Sequence, residues 1–178
     1  MEEKPRSATM NAMYYGLITG AAMVIFSLVL YISDLHMNRT LQYISFLILI
    51  GGMIWGTLEF RKLSPNGFLT YGKAFSSCFM IALFAAIISA LYTFVFAEFI
   101  NPNFSQEILD KAREGMMSSG QPMTDEQIDQ AMTWTARFTT PVMMAIWGLI
   151  TTVAISAVIS LVVAIFLKKE DKSLNATM

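Results

Sequence analysis

Hydrophobic positions in this chain run in long unbroken tracks, and charged positions are confined to the gaps between them. No Asp, Glu, Lys or Arg occurs in 7–33, 40–58, 74–97 or 138–167. About 20 apolar residues in a helix cross a ~30 Å hydrocarbon core, so each track is long enough, or nearly so, to span a membrane. The spans are expected over 11–33, 40–58, 74–97 and 139–167. The stretch between the third and fourth, 98–137, has a helical pattern of its own. After Asn101 and Pro102, the apolar positions Phe104, Ile108, Ala112 and Met116 recur every four residues, with Ser105 placed to cap the helix and Gly115 and Gly120 to end it. A second helix begins at Thr124, where Thr124 and Gln127 fit a T-x-x-Q capping box and Asp125 and Glu126 suit the positive end of the macrodipole. Its apolar face is Ile128, Ala131, Met132, Thr135 and Phe138, and Pro141 marks either a kink or the first turn of the fourth span. The expected fold is all-α, a single membrane domain over 1–178. It is a four-transmembrane-helix bundle with a helical extracytoplasmic loop whose two amphipathic helices fold over the outer mouth or lie in the interface.

Composition agrees and narrows the function. Of 178 residues, 55% are hydrophobic and 14% charged, against roughly 45–50% and 25% in a soluble domain. The longest stretch outside the spans, 98–137, is too short for an independent catalytic domain of about 100 residues. With 12 basic and 13 acidic residues, net charge −1, there is no basic field for nucleic acid. A lone cysteine, Cys78, inside the third span makes neither an intramolecular disulfide nor a thiolate cluster, and a lone histidine, His36, makes no zinc site. Asp125, Glu126 and Asp129, or Asp34 with His36, lack the ligand number and spacing of a calcium or zinc motif. G-x-S-x-G, phosphate-loop and dinucleotide fingerprints do not occur. No enzyme, cofactor or metal is expected.

Orientation follows from where Lys and Arg fall, because short loops rich in them stay cytoplasmic. Lys4, Arg6, Arg61, Lys62, Lys73, Lys168, Lys169 and Lys172 lie on one side, against Arg39, Lys111, Arg113 and Arg137 on the other. Both termini are therefore expected in the cytoplasm. A cleaved signal peptide is the alternative for the first track, but its apolar run is longer than the roughly 7–15 residues of a signal core and continues unbroken to Ser33.

In lipid, helices associate through close packing of small residues and interhelical hydrogen bonds. Gly16 and Gly20, continuing Ala12, form one small face; Gly52 and Gly56 form another; Ala82, Ala86 and Ala90 a third. Gly148, Thr152, Ser156, Ser160 and Ala164 repeat every four residues along the fourth span, the longest such seam. These residues are the expected helix-packing seam. It serves either the bundle itself or a dimer face. The middles of the spans hold no ionisable side chain, which disfavours ion-coupled pumping. Hydroxyls such as Thr19, Ser89, Thr151 and Thr152 either line a cavity or bond back to their own helices. Tyr14, Tyr15, Tyr31, Tyr43, Trp55, Trp134 and Trp147 fall where interfacial aromatic belts lie.

Three runs carry a likeness: Tyr15-Gly16-Leu17-Ile18-Thr19-Gly20, Asn66-Gly67-Phe68-Leu69-Thr70-Tyr71-Gly72-Lys73-Ala74-Phe75, and Tyr92 through Phe99-Ile100-Asn101-Pro102. In these the chain resembles a bacterial membrane family catalogued as domain of unknown function 4199. The likeness covers about residues 9–168 and extends to the layout of four spans with an acidic helical loop before the last. It implies a bacterial inner-membrane setting and no particular chemistry. From the residues themselves, the expected role is that of a non-catalytic partner or assembly subunit in the lipid bilayer, joined to another membrane protein or to copies of itself. The alternative is a small passive transporter or lipid-binding carrier working as an oligomer.

Overall fold

The computed structural model describes residues 7–64, 67–118 and 124–169, and apart from one isolated β-bridge its regular structure there is helical. In chain order the elements are α1 (Ala8–Ile32), α2 (Arg39–Leu63), α3 (Tyr71–Val95) prolonged by a π-helical turn (Phe96–Ile100), α4 (Phe104–Ser118), α5 (Asp125–Phe138) and α6 (Pro141–Leu167). Four stretches, Ala8–Ile32, Thr40–Leu63, Tyr71–Ile100 and Pro141–Leu167, are long and apolar enough to cross a membrane. This is a four-span, all-α membrane protein. Its helices outrun the uncharged tracks at several ends. Thus α2 continues through Glu59 and Arg61 to Leu63, with Lys62 donating to Glu59 at 2.6 Å one turn away. A charge ends a hydrophobic track without ending a helix.

The chain packs as two compact units, Met1–Ser89 with Thr151–Met178, and Ala90–Ile150. In the first unit α1 lies against both α2 and α3. A methyl group at Gly16 would stand 2.8 Å from the Ile81 carbonyl oxygen of α3, and one at Gly20 would stand 2.9 Å from Ile88 Cβ. From the other side, Gly56 of α2 leaves 2.7 Å between such a methyl and Tyr15 Cβ, and Gly52 faces the Thr19 side chain even more closely. The core around these contacts is continuous. Leu49 and Met53 from α2, Ile81, Ala82 and Ala85 from α3, Ala12 from α1 and Ala164 from α6 are all buried within it.

One end of this unit is fastened by polar bonds. Leu69, just before α3, and Lys169, just after α6, exchange both backbone hydrogen bonds at 2.8 Å. Tyr71 donates its hydroxyl to the Leu161 carbonyl at 3.2 Å, an Arg61 guanidinium nitrogen donates to the Leu167 carbonyl at 3.4 Å, and the Lys169 ammonium lies 5.8 Å from the Phe68 ring centre. Gly67 turns the chain here with φ +66°, a conformation glycine adopts without strain, and its N–H meets the Ser64 carbonyl. The preceding Asn66 lies outside the described residues, as do Lys4, Arg6, Lys172 and Gly120.

In the second unit, the π-helical turn ends where Asn101 N–H returns to the Phe96 carbonyl at 2.7 Å, and the Asn101 amide then donates to Glu107 at 3.0 Å. Here α4 opens earlier than a Ser105 cap would allow. Its first i to i−4 bond runs from Glu107 N–H to the Asn103 carbonyl, which places Ser105 inside the first turn, and Gly115 lies within the helix rather than at its end. The Thr124–Gln127 capping box is present in both directions, at 3.0 and 3.3 Å. On α5, Ile128 is buried, Ala131, Met132 and Thr135 are half-buried, and Phe138 is exposed. Arg113 of α4 holds Asp129 of α5 at 2.8 Å. After α5 the helix breaks at Thr139 and Thr140, Thr140 accepts from Met143 and Met144 N–H, and Pro141 is the first residue of α6. Of the two roles open to Pro141, the first-turn one holds, since a proline there lacks only an N–H that needs no partner.

Adjacent glycines give a direct test of the α1–α2 contact. Gly52→Ala should destabilise by about 1–3 kcal/mol, as overpacking does, because its methyl meets Thr19. Gly51→Ala, where nothing lies within 4 Å, should be neutral or stabilising by up to about 1 kcal/mol through helix propensity. Unfolding midpoints of both variants in detergent provide the check.

Candidate functional site

A polar line at the fastened end accompanies the small-residue contacts in the first unit. Asn11, buried at the start of α1, donates its side-chain amide to the Gly56 carbonyl of α2 at 3.0 Å. At the next residue of α2, Thr57 Oγ1 donates to Ser77 Oγ of α3 at 3.1 Å and lies 3.2 Å from Cys78 Sγ, all three residues buried. Polar groups in such surroundings are costly unless bonded, and these bonds join three helices at one level. Sequence reading passed over Asn11, Thr57 and Ser77. The available signal for Asn11 was its spacing: Asn11, Tyr15 and Thr19 recur every four residues on the α1 face that meets α2.

The predicted seam residues divide by location. Gly16 and Gly20 meet α3, while Gly52 and Gly56 meet α1. On α6, Ser156, Ser160 and Ala164 are wholly inaccessible and Thr152 is half-buried. Gly148, in the other unit, is exposed and has nothing within 4 Å of the position a side chain would take. The four-residue repeat therefore buries its C-terminal members and leaves its first one open. Neither the Ser156 nor the Ser160 hydroxyl has a hydrogen-bond partner among the described residues. Of the hydroxyls considered for a cavity, Thr19 bonds to the Tyr15 carbonyl of its own helix at 2.7 Å, Ser89 reaches Met23 Sδ at 4.0 Å, and Thr151 is exposed.

Beside the polar line opens a cleft of about 240 Å³, lined by Ala8, Thr9, Phe60, Lys73, Ser76, Ser77 and Met80. It sits where α1 and α3 begin and α2 ends. Its wall combines three hydroxyls and one ammonium with the apolar surfaces of Phe60 and Met80. Among the described residues no group of three or more His, Cys, Asp or Glu is placed to hold a metal ion.

Because the Ser156 and Ser160 hydroxyls make no bond, replacing either with Ala should leave stability unchanged or raise it by up to about 1 kcal/mol, through removal of a buried polar group. Leu at both positions has no space and should cost on the order of 1–3 kcal/mol or more. Unchanged unfolding of the double Leu variant would show that this stripe is not a packing contact.

Neither curated proteins nor solved structures provide a match to this chain. A family model does, over residues 14–169. That interval contains the α1 glycines, the fastened end and the Asn101 turn. The chain belongs to the family described as protein of unknown function DUF4199.

Proposed function

We propose that this protein is a non-catalytic component of a bacterial cytoplasmic membrane, a partner or assembly subunit that acts through helix packing and its loops. The observation that carries this reading is the solid interior of the first unit. Leu49, Met53, Ile81, Ala82 and Ala85 are fully inaccessible there, and glycines bring the backbones of α1, α2 and α3 close together. Further support comes from α6, whose Val158, Leu161, Val162, Ile165 and Phe166 stay exposed, an apolar surface for lipid or for another helix. A bilayer is the surrounding partner, another membrane protein or a second copy the specific one, and nucleic acid is not a partner.

In the proposed orientation both termini and the α2–α3 loop face the cytoplasm, and α4 with α5 lies outside. The basic residues Arg61, Lys62, Lys73, Lys168 and Lys169 at the fastened end support it, since short basic loops remain inside. Cys78 is fully buried, so single added cysteines can be labelled over a quiet background. Asp125→Cys should react with an impermeant maleimide in intact spheroplasts and Lys62→Cys only after lysis. The reverse pattern would invert the topology.

Native mass spectrometry of protein extracted with its own lipids tests the role. The expected spectrum holds this chain in an assembly of fixed stoichiometry with a second protein. A homo-oligomer retaining one small species would favour the alternative, a passive transporter or lipid-binding carrier, which the 240 Å³ cleft supports. A lone monomer would overturn the subunit reading.

A further inference from the structure

We propose that the cleft at the basic end binds a phosphate group, presented by the headgroup of an anionic phospholipid in the adjoining leaflet. This inference goes beyond the subunit reading and does not depend on it.

The wall of the cleft has the right chemistry for such a ligand. Lys73 is exposed and makes no ion pair among the described residues, unlike Lys62, which is held by Glu59 at 2.6 Å. Thr9 and Ser76 supply exposed hydroxyls beside it. Ser77 supplies a more telling group. Ser77 is 6% exposed, and its hydroxyl shares a 3.1 Å hydrogen bond with that of Thr57. Thr57 Oγ1 lies between Ser77 Oγ and Cys78 Sγ, so an acceptor entering the cleft would let the Ser77 hydroxyl donate to it while accepting from Thr57. Among the described residues no acidic side chain lines the cleft.

Helix direction adds to this. Ala8 and Thr9 open α1, and Lys73 lies in the first turn of α3, where amide N–H groups lack intrahelical acceptors and favour negative charge. The remaining lining is apolar. Phe60 and Met80 offer surface to the start of an acyl chain, which a free phosphate would leave uncovered. Size sets the class of ligand. At about 240 Å³ the cleft is smaller than the roughly 300–1,000 Å³ of a site enclosing a drug-sized molecule, and suits a headgroup whose tails remain in the bilayer.

The test uses the full chain in a neutral detergent, titrated with short-chain phosphatidylglycerol and followed by native mass spectrometry. Wild type should bind one phosphatidylglycerol before any further lipid, and should bind phosphatidylcholine at least about fivefold more weakly. Lys73→Ala should weaken the first phosphatidylglycerol by about fivefold or more, the contribution of one basic residue near an anionic surface, while Lys62→Ala should leave it unchanged. Ser77→Ala should weaken it as well. If that variant unfolds more readily through loss of the Thr57 bond, Ser76→Ala, at an exposed position, provides the second hydroxyl test. Inorganic phosphate serves as the competing arm. Displacement of the lipid only at concentrations far above its own is expected; tight binding of inorganic phosphate without phosphatidylglycerol would overturn the lipid assignment. Equal losses for Lys73→Ala and Lys62→Ala, or equal binding of phosphatidylcholine, would reduce the effect to diffuse surface charge and overturn the site.

Discussion

Helices already surrounded by hydrocarbon gain little from burying more of it against each other, so the first unit depends on how closely backbones can approach α1. The four glycines at 16, 20, 52 and 56 set that distance. With no side chain at these points, the Ile81 carbonyl, Ile88, Thr19 and Tyr15 sit where a methyl would otherwise be. Dispersion and short polar bonds then operate at full strength. The bond from Asn11 to the Gly56 carbonyl illustrates the coupling, because the same glycine that admits Tyr15 also exposes its carbonyl to a side chain of α1. Close approach and hydrogen bonding are here one arrangement.

Most of the architecture was legible because lipid imposes length and apolarity together. Uncharged tracks located the four spans, and the Thr124–Gln127 pair located the start of α5, a local signal that needs no knowledge of the rest of the chain. Ends were less legible where charge and helix part company, as at Glu59, and where a helix opens without using the more obvious cap, as α4 does with its first bond on the Asn103 carbonyl and Ser105 already in the first turn. Small-residue spacing pointed to packing faces but not to their partners. Gly16 and Gly148 belong to equally regular repeats, yet one is enclosed by α3 and the other is open, because a four-residue period states which side of a helix is small and nothing about what stands opposite. The cleft was least visible of all, since Thr9, Phe60 and Ser76 are ordinary residues that become a site only through the assembly of three helix ends.

The runs that carried the family likeness occupy three kinds of place. One supplies the glycine face of α1, one the turn and first residues of α3 at the fastened end, and one the π-helical exit closed by Asn101. Each combines a backbone feature with a nearby polar bond. These runs are thus intelligible as helix geometry, and Lys73 stands out within them as a charged side chain that makes no ion pair among the described residues.

The backbone clasp between Leu69 and Lys169 joins positions a hundred residues apart, and the neighbouring bonds from Arg61 and Tyr71 span 106 and 90 residues. By contrast, α1 meets α2 and α3 across a few tens of residues. Contacts of short separation close with less loss of chain entropy and form sooner. During synthesis, then, α1, α2 and α3 can associate while α6 is still being made, and the basic end acquires its final shape only once α6 and Lys169 have joined them.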